Sequence, residues 1–265
     1  MAAHASEPTL TVTVGGKTAT HTPGDLLGQP GVVTINVPND VAYRRPMTFR
    51  ALPMATLLAG VPPSASVRFS DSTGFSATLP AAALLASADD GARAYLAIEP
   101  ADAQWPPLRS GNPASAGPFY LVWLNPERAR IVSEQWPFQV AKIDQVASLG
   151  VRYPAILPAP NISPNGSVAR GYVVFTKNCI VCHTLNLGGD GWAGPDLNVP
   201  YSATEYMRAD ALRRLVRDPQ SLRRYPATRM PAFDTATLSD RELNDLFDYL
   251  RHMANRKVPL SPTGK

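Results

Sequence analysis

Cys179-Ile180-Val181-Cys182-His183 holds both cysteines of a 265-residue chain. Three chemistries use such a pair, and the rest of the sequence separates them. A zinc site needs about four donors, yet no other cysteine exists and His252 is the only further histidine in the downstream part of the chain. A dithiol redox pair is expected near a βαβ pattern, and none is legible around these residues. C-x-x-C-H is the spacing of c-type haem attachment. Two intervening residues let the thiols reach the two vinyl groups of one porphyrin, and the adjacent histidine then places an imidazole nitrogen on iron. The pentapeptide therefore predicts one covalent haem c on Cys179 and Cys182, with His183 as an axial ligand. Two cysteines in one short stretch also exclude a secreted disulfide scaffold.

The flanking texture is helical. Val168 to Lys177 precedes the cysteines, Ala209 to Arg217 stops before Asp218-Pro219, and a last helix starts after Ser239. Ser239 and Glu242 spell a capping box, and Leu238 and Leu243 occupy the staple positions. Gly171 and Phe175 on the first helix, Leu246 and Tyr249 on the last, and the segment Gly194-Pro195-Asp196-Leu197 together resemble a small monohaem class I cytochrome c over about 165–257. The resemblance implies an all-α cytochrome c fold in which the first and last helices cross at the glycine. It also implies that the carbonyl of Pro195 orients the proximal histidine.

Met207, Met230 and Met253 are the candidates for a sixth ligand, although a methionine is more often core filler. The resemblance favours Met230, in the loop Arg229-Met230-Pro231-Ala232-Phe233 just before the last helix. His183 and Met230 would leave no open position on iron, which points to electron transfer, and a thioether ligand raises the reduction potential. Trp192, Asn198, Tyr201, Tyr225 and Arg229 flank these segments and are candidates to cover or hydrogen-bond the haem; ordinary packing accounts for them equally well.

Net charge is +4, and its excess lies downstream: residues 1–164 carry 11 Lys/Arg against 11 Asp/Glu, and residues 165–265 carry 14 against 10. Arginines 208, 213, 214, 217, 223, 224 and 229 crowd one segment. Arg213 and Arg217 share a helical face away from Leu212, Leu215 and Val216, which reads as the solvated side of an amphipathic helix. The functional alternative is a docking surface for an acidic redox partner. No nucleic-acid module or aromatic platform accompanies the arginines, so nucleic-acid binding is rejected.

Upstream the pattern is strand-rich. Leu10–Val14, Val32–Val37, Val67–Ser70, Gly74–Leu79, Ala94–Glu99, Phe119–Leu124 and Gln139–Val146 read as strands. Phe49–Ala59 and Pro80–Ser87, rich in Leu, Met and Ala, read as short helices. Val151 to Asn165 contains four prolines and no apolar periodicity, the composition of a semi-rigid linker. The organisation expected is therefore a mixed α+β domain over 1–150, a linker over 151–165 and a haem domain over 166–265.

Met47-Thr48-Phe49-Arg50-Ala51-Leu52-Pro53-Met54, Phe69-Ser70-Asp71-Ser72-Thr73-Gly74-Phe75, Trp105-Pro106-Pro107-Leu108 and Gly117-Pro118-Phe119-Tyr120-Leu121-Val122-Trp123 resemble, over about 30–140, a sulfite-oxidase-type molybdopterin domain. Those domains hold molybdenum through a protein cysteine, and residues 1–178 contain none. No molybdenum is expected, and a docking or binding scaffold fits better. His4, His21, Met47 and Met54 show no metal-ligand spacing. No run approaches the roughly 18–20 apolar residues of a membrane helix, and the start, MAAHASEPTL, lacks the regions of a secretory signal. Because bacterial haem attachment is periplasmic, the chain reads as a mature or trimmed sequence with an added Met1. The expected role is a periplasmic electron carrier serving a dehydrogenase or oxidase. The alternatives are a haem protein fused to a domain that oxidises a small substrate through its own cofactor, and a haem-based redox or gas sensor.

Overall fold

The structure is a computed structural model describing residues 7–109, 112–224 and 230–260. The chain divides into two compact units, Met1–Ser148 and Leu149–Lys265.

The first unit is strand-rich, as expected, with two sheets among the described residues. One has the order β2-β1-β9-β5-β6, built from β1 (Leu10–Val14), β2 (Lys17–His21), β5 (Ser66–Asp71), β6 (Ser76–Pro80) and β9 (Val140–Val146). The other has the order β3-β4-β7-β8, from β3 (Val33–Val37), β4 (Met47–Pro53), β7 (Arg93–Ile98) and β8 (Phe119–Leu124). Only the β1–β9 pairing is parallel. Gly15 and Gly16 both have positive φ, 57° and 74°, and let Val14 pair with Lys17 across a two-residue turn, the conformation a tight hairpin demands. Three short helices, α1 (Pro23–Leu27), α2 (Met54–Leu57) and α3 (Ala81–Leu84), connect the strands.

Two departures from the sequence pattern have physical causes. β2 is polar and largely exposed along its length, an edge strand without the alternation that signals burial. Phe49–Ala59 was expected to be helical. It forms β4 as far as Pro53, pairing on both sides with β3 and β7, and only Met54–Leu57 coils into α2. Helix propensity is a weak prior, and here the alternation of buried Phe49 and Ala51 with exposed Thr48 and Arg50 prevails. Phe49 packs edge-on to Trp105 and Tyr120 at centroid distances of 4.9 and 5.9 Å.

The second unit is helical: α4 (Leu149–Arg152), α5 (Ser167–Asn178), α6 (Ala203–Tyr206), α7 (Ala209–Arg217) and α8 (Asp240–Ala254). The capping box of α8 forms as expected, with Glu242 N–H donating to Ser239 Oγ and Ser239 N–H to Glu242 Oε2 at 2.9 Å. Leu238 and Leu243 are both buried. α5 and α8 pack with Gly171 against the backbone of α8, where any Cβ would overlap the carbonyl oxygen of Asp245 and stand 2.6 Å from Tyr249 Cβ. Arg170 closes the crossing with a two-pronged pair to Asp245, both contacts 2.7 Å.

The proline-rich stretch 151–165, expected as a semi-rigid linker, falls within the second unit. Ile156 is fully buried, and its carbonyl accepts from Tyr249 Oη at 2.6 Å. Ala159 N–H donates to His252 Nε2 at 3.0 Å. Burial, then the nearby Arg256, holds His252 below the ordinary histidine range, which favours the neutral ring able to accept that bond. Arg152 meets both carboxylate oxygens of Asp190 at 2.8 and 2.6 Å, and Tyr153 Oη donates to Asp190 at 2.8 Å. Prolines stop a long helix here, yet short turns still deliver one apolar side chain to the core, which periodicity does not reveal.

Gly171→Ala should destabilise the second unit by about 3 kcal/mol, since the Cβ has no room without separating two backbones. Urea unfolding followed by the signal of the helical unit measures it, and a wild-type midpoint would mean that the helices do not cross there.

Candidate haem site

Helix α5 ends at Asn178, and Cys179 is its C-cap. The chain then coils tightly: Cys182 and His183 N–H groups both donate to the Cys179 carbonyl, at 3.1 and 2.9 Å. This brings two thiols and an imidazole onto one turn and a half, with no disulfide between the cysteines. Ile180 and Val181, the two intervening residues, are buried.

His183 Nδ1 lies 2.8 Å from the carbonyl oxygen of Pro195. Burial lowers the histidine's pKa, opposed by that contact and by the nearby charge of Asp196, so the neutral imidazole is favoured. With its proton on Nδ1, the ring donates to Pro195 and leaves Nε2 as a free donor atom for a metal. The glycines around the ring are required by space. A Cβ at Gly194 would stand 2.6 Å from His183 Nδ1, and one at Gly191 would stand 2.6 Å from His183 N. Two thiols, one oriented imidazole and a glycine-lined approach fit a covalently attached haem.

Among the three methionines, Met253 lies on α8, 1% exposed in the core. Met207 caps α6, and both Met207 and Met230 pack half-buried against the same core. The segment after Met230 is anchored to α7. Phe233 N–H donates to Val216 O at 3.1 Å, and Arg217 donates to the carbonyls of Phe233 at 2.8 Å and Asp234 at 3.1 Å, to that of Leu238, and to Asp240 at 2.7 Å.

Arg213 and Arg217 therefore do not form the solvated helical face expected of them. Both are half-buried, tied to the start of α8 through Asp240, and Arg213 also reaches Asn244 and lies over the Phe247 ring at 5.6 Å. The apolar face of α7 covers the core while its arginines grip the neighbouring helix, a use of long cationic side chains that helical periodicity alone cannot separate from solvation.

The remaining candidates fall in different places. Trp192 and Tyr201 are 55% and 68% exposed, Tyr201 lying under the Lys257 ammonium at 5.6 Å. Asn198 is fully buried, its amide nitrogen donating to Asn186 Oδ1 and to the carbonyl of Met253, each at 2.7 Å. Tyr225 and Arg229 lie outside the described residues. Sequence alone gave no sign of Asn186 or of the ties Arg217 makes to the loop before α8, and Asp196 stood only as part of a motif. An aspartate just after a Gly-Pro turn can fold back to accept from the backbone N–H groups two and three positions on, as Asp196 does from Asn198 and Val199, and Gly194-Pro195-Asp196 was legible as such a turn.

In the first unit, Asp40 is buried and its Oδ1 accepts from Tyr43 N–H at 2.8 Å. Desolvation raises its pKa. The molybdopterin resemblance implies a thiolate-bound metal, and residues 1–178 offer no thiol to hold one. Among the described residues no helix is long and apolar enough to cross a membrane.

No curated protein matches the chain. Among solved structures, the sulfane dehydrogenase SoxCD from Paracoccus pantotrophus is similar at 18% identity with a TM-score of 0.37; the likeness takes in 53% of this chain and 38% of that one. Residues 168–254 match the cytochrome c family model. The helical unit accordingly contains a cytochrome c domain, the part of this chain that supports haem-based electron transfer.

Proposed function

We propose that the chain is a periplasmic one-electron carrier holding a single haem c, attached through Cys179 and Cys182 and ligated by His183 and Met230. The observation that carries the reading is the 2.8 Å approach of His183 Nδ1 to Pro195 O immediately after the two cysteines, which frees Nε2 for iron. Haem supplies the ferric–ferrous couple. The protein's own groups do the rest. The cysteine sulfurs would hold the porphyrin, and the Nδ1–H donation would make His183 a more basic ligand. A Met230 thioether would raise the potential relative to a second histidine and close the sixth position, which favours electron transfer over substrate chemistry. Support for Met230 over its rivals lies in the anchored loop it occupies and in the deep burial of Met253.

The first unit fits a scaffold that docks or orients a redox partner, a dehydrogenase or oxidase. On the cytochrome side, the segment from Arg208 onward still offers exposed positive charge at Arg208, Arg214 and Arg224, even though Arg213 and Arg217 are engaged within the fold. Long-range attraction tolerates such local pairing.

Protein produced with a haem-attachment system should retain haem after denaturation and acid extraction, whereas Cys179→Ser/Cys182→Ser should lose it; the Met230→Ala protein should also lose the sulfur-to-iron band at the red edge of the ferric spectrum. Haem that extracts from the wild type, or an unchanged band in Met230→Ala, would overturn the corresponding assignment. Reduction by a small anionic reagent should slow as salt is raised from about 0.01 to 0.15 M, because the Debye length shrinks from roughly 30 to 8 Å; a rate indifferent to salt argues against steering by the basic segment.

A further inference from the structure

Asp196 follows directly on Pro195, the residue whose carbonyl meets His183. Its two carboxylate oxygens receive five hydrogen bonds. Oδ1 accepts from the backbone N–H groups of Asn186, Asn198 and Val199 at 3.2, 2.8 and 2.8 Å. Oδ2 accepts from Thr184 Oγ1 at 2.9 Å and Leu187 N–H at 2.8 Å. The donors fall in two short stretches: 184–187, which leaves His183, and 198–199, which leaves the Pro195 turn. One backbone bond, Leu197 N–H to Thr184 O at 2.9 Å, ties the same two stretches.

The conformation being held is a strained one. Asn186 and Leu187 have φ of 53° and 62°, a region non-glycine residues keep only where their surroundings impose it. Asn186 is fixed further, its amide nitrogen donating to the carbonyls of Ala155 at 3.0 Å and Arg256 at 2.9 Å. The carboxylate thus sits between the segment that carries the imidazole and the segment that carries its acceptor, with partners on both.

We infer that Asp196 is a positioning residue: it fixes the Pro195 carbonyl against His183 Nδ1 and so sets the electron donation of that imidazole to iron. The inference rests on the reading of His183 as haem ligand. Two effects of the carboxylate act in the same direction. A firmly held Nδ1–H···O contact gives the imidazole more anionic character, and the aspartate's negative charge lies close to it; both favour the ferric state. Asp196→Asn removes the charge and turns one acceptor oxygen into an NH2 group facing its former donors. Thr184→Val removes one donor to Oδ2 without changing charge.

The experiment uses the full-length haem-loaded protein. In Asp196→Asn, the His183 Nδ1 proton, followed by proton NMR in the ferrous state, should exchange with solvent at least about tenfold faster than in the wild type. The midpoint potential should rise, displacing the ferric-to-ferrous ratio at fixed poise by about threefold or more. Thr184→Val should show the same signs at smaller size, and it carries the test if Asp196→Asn does not mature. Wild-type proton exchange in the matured variant overturns the positioning role: if the potential still rises, Asp196 acts by charge alone, and if only the melting temperature falls, it is a structural tie. Failure of the underlying reading is seen separately, as a wild-type ferrous spectrum in His183→Ala.

Discussion

The crossing of α5 and α8 at Gly171 leaves no space for a side chain between the two backbones, and the architecture of the helical unit follows from it. Because the glycine sits against the Asp245 carbonyl, Phe175 and Tyr249 come together at a ring-centroid distance of 5.6 Å and become the centre of the core. Tyr249 in turn reaches back with its hydroxyl to Ile156, drawing in the segment that enters the unit. The direction of α5 then fixes where its last turn delivers Cys179, and everything chemical in the unit begins at that residue.

Beyond the helices, the loops that follow His183 and Met230 have almost no regular structure, and backbone groups without a ladder must find partners elsewhere. Here four side chains provide them. Asp196 gathers N–H groups on the histidine side, Asn186 and Asn198 join those loops to the end of α8, and Arg217 collects carbonyls from the loop that follows Met230. Each is charged or strongly polar and largely committed to backbone, so each acts as a substitute for secondary structure. A ligand on such a loop is held by a few strong contacts, so its orientation can be changed by a single substitution without rearranging the helical core.

The local features were well marked along the chain. The strand Phe119–Leu124 shows as an uninterrupted apolar run, and the start of α8 by Ser239 and Glu242. The failures were of one kind. Phe49–Ala59 contains good helix formers but spends its first residues in a sheet, because two neighbouring strands offer it partners. The prolines of 151–165 look like spacer, but Ile156 and Ala159 find a tyrosine and a histidine roughly ninety positions away. Arg213 and Arg217 lie on a polar face that meets another helix instead of water. In every case the deciding partner is remote in sequence.

The sequence by itself determined the C-x-x-C-H spacing of the helical unit, since two thiols and an imidazole at that covalent distance are something no folding event can supply. It also determined that the first unit lacks a thiolate, a matter of composition alone. Only the tertiary structure decided which histidine nitrogen faces the Pro195 carbonyl, that the proline-rich stretch packs into the helical unit, and that Asp196 ties the segment after His183 to the turn that carries its acceptor. Those depend on through-space contacts between loops, whose backbone hydrogen bonds follow from neither propensity nor periodicity and exist only once the helices have brought the loops together.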